Sequence, residues 1–298
     1  MGNAVGIRLF SDGILVVGTD ESSPAAACLK TGDFILTVNG ASLSSTEDFQ
    51  ARLQACGTNA VSLGIRRNGH RRTVSLCPVA ENGVLRIGAY VRDSMAGIGT
   101  LTFVDPESGD FAALGHSIND VDTGLLLPLE SGGLMTATVS AVQKGGRGSP
   151  GQLKGCFDQS RDIGVLRQND ECGIFGTMTD FRLSADEALP VAAKGEVREG
   201  AAEILCEVGD DGVQRYAVEI SKIYALSGKT RNMLITVTDP ALLARTGGIV
   251  QGMSGSPILQ DGKIVGAVTH VLLEEPKRGY AIFAENMLAA SGEKKKAA

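Results

Sequence analysis

The apolar residues of this chain come in short runs, each cut off by Gly, Asp, Asn or Pro. Leu85 to Tyr90, Gly99 to Val104, Phe111 to Leu114, Met135 to Val142 and Ile174 to Met178 follow this rule. So do Ala201 to Val208, Gln214 to Ile223 and Met233 to Val237. Short apolar runs with turn residues between them build antiparallel strands, because a helical bundle needs longer periodic stretches. With 39 glycines and no tryptophan, the pattern predicts a mainly β chain of barrels or sandwiches. At 298 residues there is room for two domains, and 43% hydrophobic content supports a packed core in each. A net charge of −6 leaves no basic excess for nucleic acid. No apolar run nears the roughly 20 residues of a membrane helix, and no secretory leader is visible. The six cysteines form no C-x-x-C pair, so zinc spacing is missing, and no metal or cofactor is expected.

The first 79 residues have their own grammar. Val5 to Leu9 and Gly13 to Gly18 read as two strands joined by Ser11-Asp12-Gly13. A short helix starts near Ser23-Pro24, and Gly32-Asp33-Phe34-Ile35-Leu36-Thr37-Val38-Asn39-Gly40 is a strand closed by an Asn-Gly turn. Thr46 to Ala55 is an amphipathic helix, with Phe49 and Leu53 four apart and Ser45 or Thr46 as N-cap. Val61 to Arg66 and Arg72 to Cys77 form a hairpin around Asn68-Gly69. This order resembles a PDZ domain, and the resemblance covers residues 1–79. It implies an extended peptide ligand, added to a sheet edge beside the longer helix. That edge would be Ile14, Leu15, Val16, Val17 and Gly18. Residues 80–84 then read as a linker and residues 293–298 as a solvated tail.

Chemistry concentrates in Gly247-Gly-Ile-Val-Gln-Gly252-Met-Ser254-Gly255-Ser-Pro257. Glycines on either side of a serine permit a tight turn that presents the hydroxyl and gathers backbone amides around it. A strand from Pro257, an Asp261-Gly262 turn and a return strand from Lys263 to Val271 follow. Chymotrypsin-like proteases place their nucleophile in a similar setting. A serine needs a base, usually histidine, and a third group to orient it. There are three histidines: His70 in a basic turn, His116 after a short apolar strand, and His270 at the end of the strand following Ser254.

Gly115-His116-Ser117-Ile118, Asp239-Pro240, Gly247 to Pro257 and Gly266-Ala-Val-Thr-His270 together are similar to the SpoIVB-type serine peptidases. A PDZ domain ahead of the peptidase fits that family, so the resemblance spans nearly the whole chain. It implies a chymotrypsin-like double β-barrel over residues 85–292, with no metal. It further implies His116 as general base, Asp239 as orienting acid and Ser254 as nucleophile, with the N–H groups of Gly252 and Ser254 as oxyanion hole. Asp120 and Asp122 are rivals for the acid, and Asp239 has an alternative use as a helix N-cap. His270 is expected to be a strand-end residue. The family cleaves itself and then a membrane-bound regulator of an intramembrane protease, leading to sigma-factor activation during spore formation. The resemblance therefore implies secretion across the forespore membrane into the intermembrane space, through an N-terminal anchor that this chain lacks. The other function class left open is a PDZ-bearing binding protein whose peptidase-like domain is inactive.

Overall fold

Turn chemistry lays out the strands of the fold. The computed structural model describes residues 1–179, 188–224 and 228–293. Its strands are β1 (Ala4–Thr19), β2 (Phe34–Val38), β3 (Ala41–Ser42), β4 (Val61–Arg67), β5 (His70–Leu76), β6 (Val79–Glu81), β7 (Val84–Arg86), β8 (Ala89–Val104) and β9 (Asp110–Ala113). Then come β10 (Leu129–Gln143), β11 (Gln152–Asp170), β12 (Gly173–Met178), β13 (Gly200–Glu207), β14 (Val213–Ile223), β15 (Met233–Val237), β16 (Pro257–Gln260), β17 (Lys263–Val271) and β18 (Arg278–Phe283). Among the described residues three α-helices join them: α1 (Thr46–Cys56), α2 (Pro240–Thr246) and α3 (Ala284–Glu293). At the Asn39-Gly40, Asn68-Gly69 and Asp261-Gly262 turns both residues have positive φ, between 50° and 81°. That is the backbone of a type I′ hairpin, which asparagine, aspartate and glycine tolerate best.

The chain divides into two compact units, and the division is not the linear one expected. One unit contains Leu9–Met95 and Asn119–Glu130; the other contains Met1–Arg8, Ala96–Ile118 and Ser131–Ala298. The expected linker is a hairpin, with β6 paired to β7 around Asn82-Gly83. Asn82 and Gly83 both have positive φ, so the pair that read as part of a linker is a tight turn. The strands expected at Val5 to Leu9 and Gly13 to Gly18 are one continuous β1, with Gly13 at φ 95° absorbing the bend. The expected tail lies outside the described residues from 294 onward.

In the smaller unit, β1, β2, β4 and β5 form a sheet with α1 against it. The Ser45 side chain caps α1 by accepting from the Asp48 N–H at 3.2 Å, and Gly57 ends it. Ile14, Val16, Ile35, Phe49, Leu53, Leu63 and Ile87 make the core. In the sheet β1, which holds the strand expected to receive a peptide, lies between β8 and β2, and its Ile14 and Leu15 pair with Ile35 and Phe34. Gly88 O accepts from Asp20 N at 2.9 Å, Leu85 O accepts from Gln50 Nε2 of α1 at 2.9 Å, and Asp93 Oδ2 accepts from Thr46 N at 2.7 Å. The chain's own β7 and the start of β8 thus run beside α1.

In the larger unit, β13-β14-β15-β18-β17-β16 close into a barrel. A second run, β10-β11-β12-β9-β8-β1, is closed by pairing of β10 with β1. The start of β1 supplies buried Ala4, Val5 and Ile7, and Gly2 and Asn3 exchange backbone bonds with Leu101 at 2.8 and 3.0 Å. Residues 1–8 are therefore part of this unit's core. A chain begun at residue 80 loses that strand and opens a buried sheet edge. It should show no cooperative thermal unfolding. A transition as sharp as that of the full chain would refute the assignment of residues 1–8 to this unit.

Candidate active site

The turn around Ser254 is held by hydrogen bonds from β8. Thr100 N donates to Ser254 O at 2.9 Å, Thr100 Oγ1 donates to Gly252 O at 2.8 Å, and Thr102 Oγ1 donates to Gly255 O at 2.8 Å. From β17 the Val268 carbonyl accepts the Gly255 N–H at 2.8 Å. Such close approach requires glycine. A Cβ on Gly255 would lie 2.1 Å from Thr100 O and 2.5 Å from Leu114 N, and its φ of 95° is one that side-chain-bearing residues rarely adopt. Neither Thr100 nor Thr102 was legible as a site residue, because threonines in a strand look like any β-branched strand residues.

The N–H groups of Gly252 and Ser254 have no acceptor among the described residues, whereas those of Met253, Gly255 and Ser256 are all bonded. Buried or half-buried amides left free in a pinned turn are what a developing oxyanion needs. The Ser254 hydroxyl donates to Thr269 O at 2.8 Å. It does not bond His116 in this conformation.

His116 is placed by β9 and two positive-φ residues, Leu114 and Gly115, each at 68°. A leucine in that region is strained, and strain of this kind persists where packing over-determines it. Gly115 packs on the Thr269 side chain, where a Cβ would come within 3.0 Å of Cγ2. Thr269 thus touches Gly115 with its side chain and accepts from the Ser254 hydroxyl with its carbonyl. His116 Nδ1 lies 2.8 Å from Ser117 O. A carbonyl can only accept, so Nδ1 carries the proton and Nε2 keeps its lone pair, the tautomer of a general base. Burial pushes the His116 pKa below its ordinary 6.5. Asn169 on β11 clamps the following loop, accepting from Ile118 N and donating to Ile118 O, both at 2.8 Å.

The expected acid, Asp239, makes its hydrogen bonds to backbone amides. Asp239 caps α2, accepting from Leu242 N at 3.0 Å and from Ala217 N at 3.4 Å, and makes no bond to His116. The N-cap use that the sequence allowed is the one the fold adopts. Asp120 and Asp122 are both paired to Arg92, and Asp120 also accepts from Thr123 N at 2.9 Å. His70 is exposed in the β4–β5 hairpin. The group packed on His116 is instead His270, with ring centroids 5.0 Å apart and planes 43° apart. Its Nδ1 is buried without a hydrogen-bond partner. Burial first, then the nearby His116 and Arg231, push its pKa down to about 4. Among the described residues no three His, Cys, Asp or Glu side chains gather as metal ligands.

A buried neutral imidazole makes stability depend on pH. The unfolded chain takes up the proton near 6.5, and the folded His270 does so only near about 4. Stability is then full above 6.5 and declines as pH falls through that value toward 4. Denaturant midpoints measured from pH 7.5 to 4.5 should show this slope, and His270→Gln should make it shallower, leaving the share of the likewise lowered His116. An equal slope in the variant would place its source elsewhere.

The profile of the family described as SpoIVB peptidase S55 matches residues 83–288, and a PDZ-domain profile matches residues 4–77. A search of curated proteins finds no match. Among solved structures, the PDZ domain of an SdrC-like protein from Listeria monocytogenes is similar at 22% identity. It covers 27% of this chain and 87% of its own, with a TM-score of 0.26. The Rv3671c protease from M. tuberculosis in its active form is 16% identical, covers 67% of this chain and 74% of its own, and has a TM-score of 0.37. The HtrA-type protease AlgW with a decapeptide is 14% identical, covers 68% and 54%, and has a TM-score of 0.41. These three likenesses carry no argument about chemistry. The S55 profile spans more than two thirds of the chain and includes His116, Asp239 and Ser254, so the chain belongs to the SpoIVB peptidase S55 family.

Proposed function

We propose that this PDZ-containing serine peptidase cleaves peptide bonds with Ser254 as nucleophile and His116 as general base. The observation that carries the proposal is the pair of free N–H groups on Gly252 and Ser254, set in a pinned turn beside the Ser254 hydroxyl. Substrate binding requires the hydroxyl to leave Thr269 O and turn toward His116 Nε2. His116 then takes the hydroxyl proton as Oγ attacks the scissile carbonyl. The two free amides hold the oxyanion, a contribution of about 3 to 4 kcal/mol per donor in serine proteases. The imidazolium returns the proton to the leaving amine, and water, activated by the same nitrogen, clears the acyl-enzyme. Because burial lowers the His116 pKa, the base is already neutral somewhat below the ordinary histidine range.

For the biological substrate, the family supports self-cleavage followed by cleavage of a membrane-bound regulator of an intramembrane protease. This would be a step in sporulation signalling toward sigma-factor activation, acting in the space across the forespore membrane. No helix among the described residues is long and apolar enough to cross a membrane. One observation favours the second reading, a binding protein with a silent peptidase-like unit: the Ser254 hydroxyl rests on Thr269 O and not on His116. A fluorophosphonate probe separates the two, since only an activated Ser254 reacts.

Ser254→Ala should lower kcat by about 10⁶ and abolish self-processing while the melting temperature stays put. Wild-type cleavage by that variant would remove Ser254 from the mechanism. Asp239 is the acid nominated by the resemblance, and Asp239→Asn tests it cleanly because asparagine is as good an N-cap as aspartate. The observed capping role predicts less than a tenfold loss in kcat. A loss near 10⁴, as when a triad acid is neutralised, would instead restore Asp239 as the orienting acid.

A further inference from the structure

A cavity of about 410 Å³ opens against Gly252, within the larger unit. Its walls come from Gly97 and Ile98 on β8, Leu153 and Phe157 on β11, and the Gln251-Gly252 strap. Its volume falls within the range of about 300 to 1,000 Å³ typical of ligand sites. We propose that this cavity receives an apolar side chain of the substrate, at a position within two residues of the cleaved bond. The inference rests on the catalytic role proposed for Ser254.

Three features argue for it. The first is place. Gly252 lines the cavity and also carries one of the two free N–H groups, so a side chain in the cavity belongs to a peptide whose carbonyl lies at Ser254. The second is shape and polarity. Gly97, Gly155 and Gly252 add no side chain to the walls, and Ile98, Leu153 and Phe157 give them an apolar side beside the polar Gln152, Lys154 and Gln251. Leu153 is only 2% exposed and sits under Gly252, whose Cβ would lie 3.0 Å from it. Filling such a space with hydrocarbon removes apolar area from water at about 25 cal/mol per Å². Lys154 also lines the cavity and makes no ion pair among the described residues, so a lysine or arginine side chain entering there meets a like charge.

The third feature is mechanical. The strap is zipped to the start of β11: Leu153 N donates to Gln251 O and Gln251 N donates to Gly151 O, each at 2.8 Å. The wall that reads the side chain is therefore the same piece of backbone that aims the Gly252 amide. A well-fitting side chain steadies the oxyanion donor, so selectivity should appear in kcat as well as in KM.

Gly97 offers the test, because a Cβ there meets nothing within 4 Å and its φ is ordinary. Gly97→Leu should fill the cavity without disturbing the fold. Full-length wild type and variant are each given a random peptide library, and products are read by mass spectrometry alongside fluorophosphonate labelling of Ser254. We expect wild type to favour Leu, Met or Phe and to reject Lys and Arg at one position next to the cut. In Gly97→Leu, kcat/KM for those substrates should fall at least tenfold relative to Ala at that position, while labelling is unchanged. Phe157→Leu should shift the preference toward bulkier side chains. Equal labelling with the same preference in all three proteins overturns the subsite and leaves the catalytic reading standing. Absence of labelling in wild type overturns the catalytic reading, and this inference with it.

Discussion

The Ser254 turn depends on two threonines. Thr100 and Thr102 alternate along β8, and their hydroxyls and backbone reach the carbonyls of Gly252, Ser254 and Gly255. Each of these carbonyls would otherwise be an acceptor turned away from solvent, and an unmet buried polar group costs about 1 to 3 kcal/mol. The turn cannot tip without breaking several of these bonds at once. Within that pinned turn the Gly252 and Ser254 amides have no acceptor among the described residues. Preorganised donors of this kind cost no rearrangement when charge develops.

Around this fixed turn the two imidazoles share a half-dry environment. His116 and His270 pack in a tilted arrangement with centroids 5.0 Å apart, and each has its pKa lowered chiefly by burial. Two neutral rings can lie together, but two cations so close repel. Burial first, and the neighbouring His116 second, bring the His270 pKa down to about 4. The Nδ1 proton of His116 is anchored on Ser117 O, and Asn169 fixes the next residue but one. A backbone carbonyl holds the His116 ring, and a side-chain amide, not a carboxylate, holds the loop after it.

In the smaller unit the same logic of satisfied backbone applies to the strand expected to receive a peptide. A bare strand edge is a row of unpaired donors and acceptors. Here β8 runs alongside β1. Ile87 joins the core of Ile14, Val16, Phe49 and Leu53, so the segment is bound by apolar contacts as well as by hydrogen bonds.

Local signals in the sequence determined the β character, the Asn-Gly and Asp-Gly turns, helix α1 with its Ser45 cap, and the glycine-bounded Ser254 turn. Each depends on residues within a few positions of one another, where steric limits on φ and ψ act directly. His116 was singled out for a different reason, namely the resemblance of its Gly-His-Ser-Ile setting to a family motif. What the tertiary structure alone decided involves partners far apart in the chain. Residues 1–8 joined the larger unit, Thr100 and Asn169 became clamps, His270 packed on His116, and Asp239 kept to its cap. A capping aspartate and an orienting aspartate look identical in sequence. Only the positions of distant backbone amides, settled when the two barrels close, determine which bond the carboxylate makes.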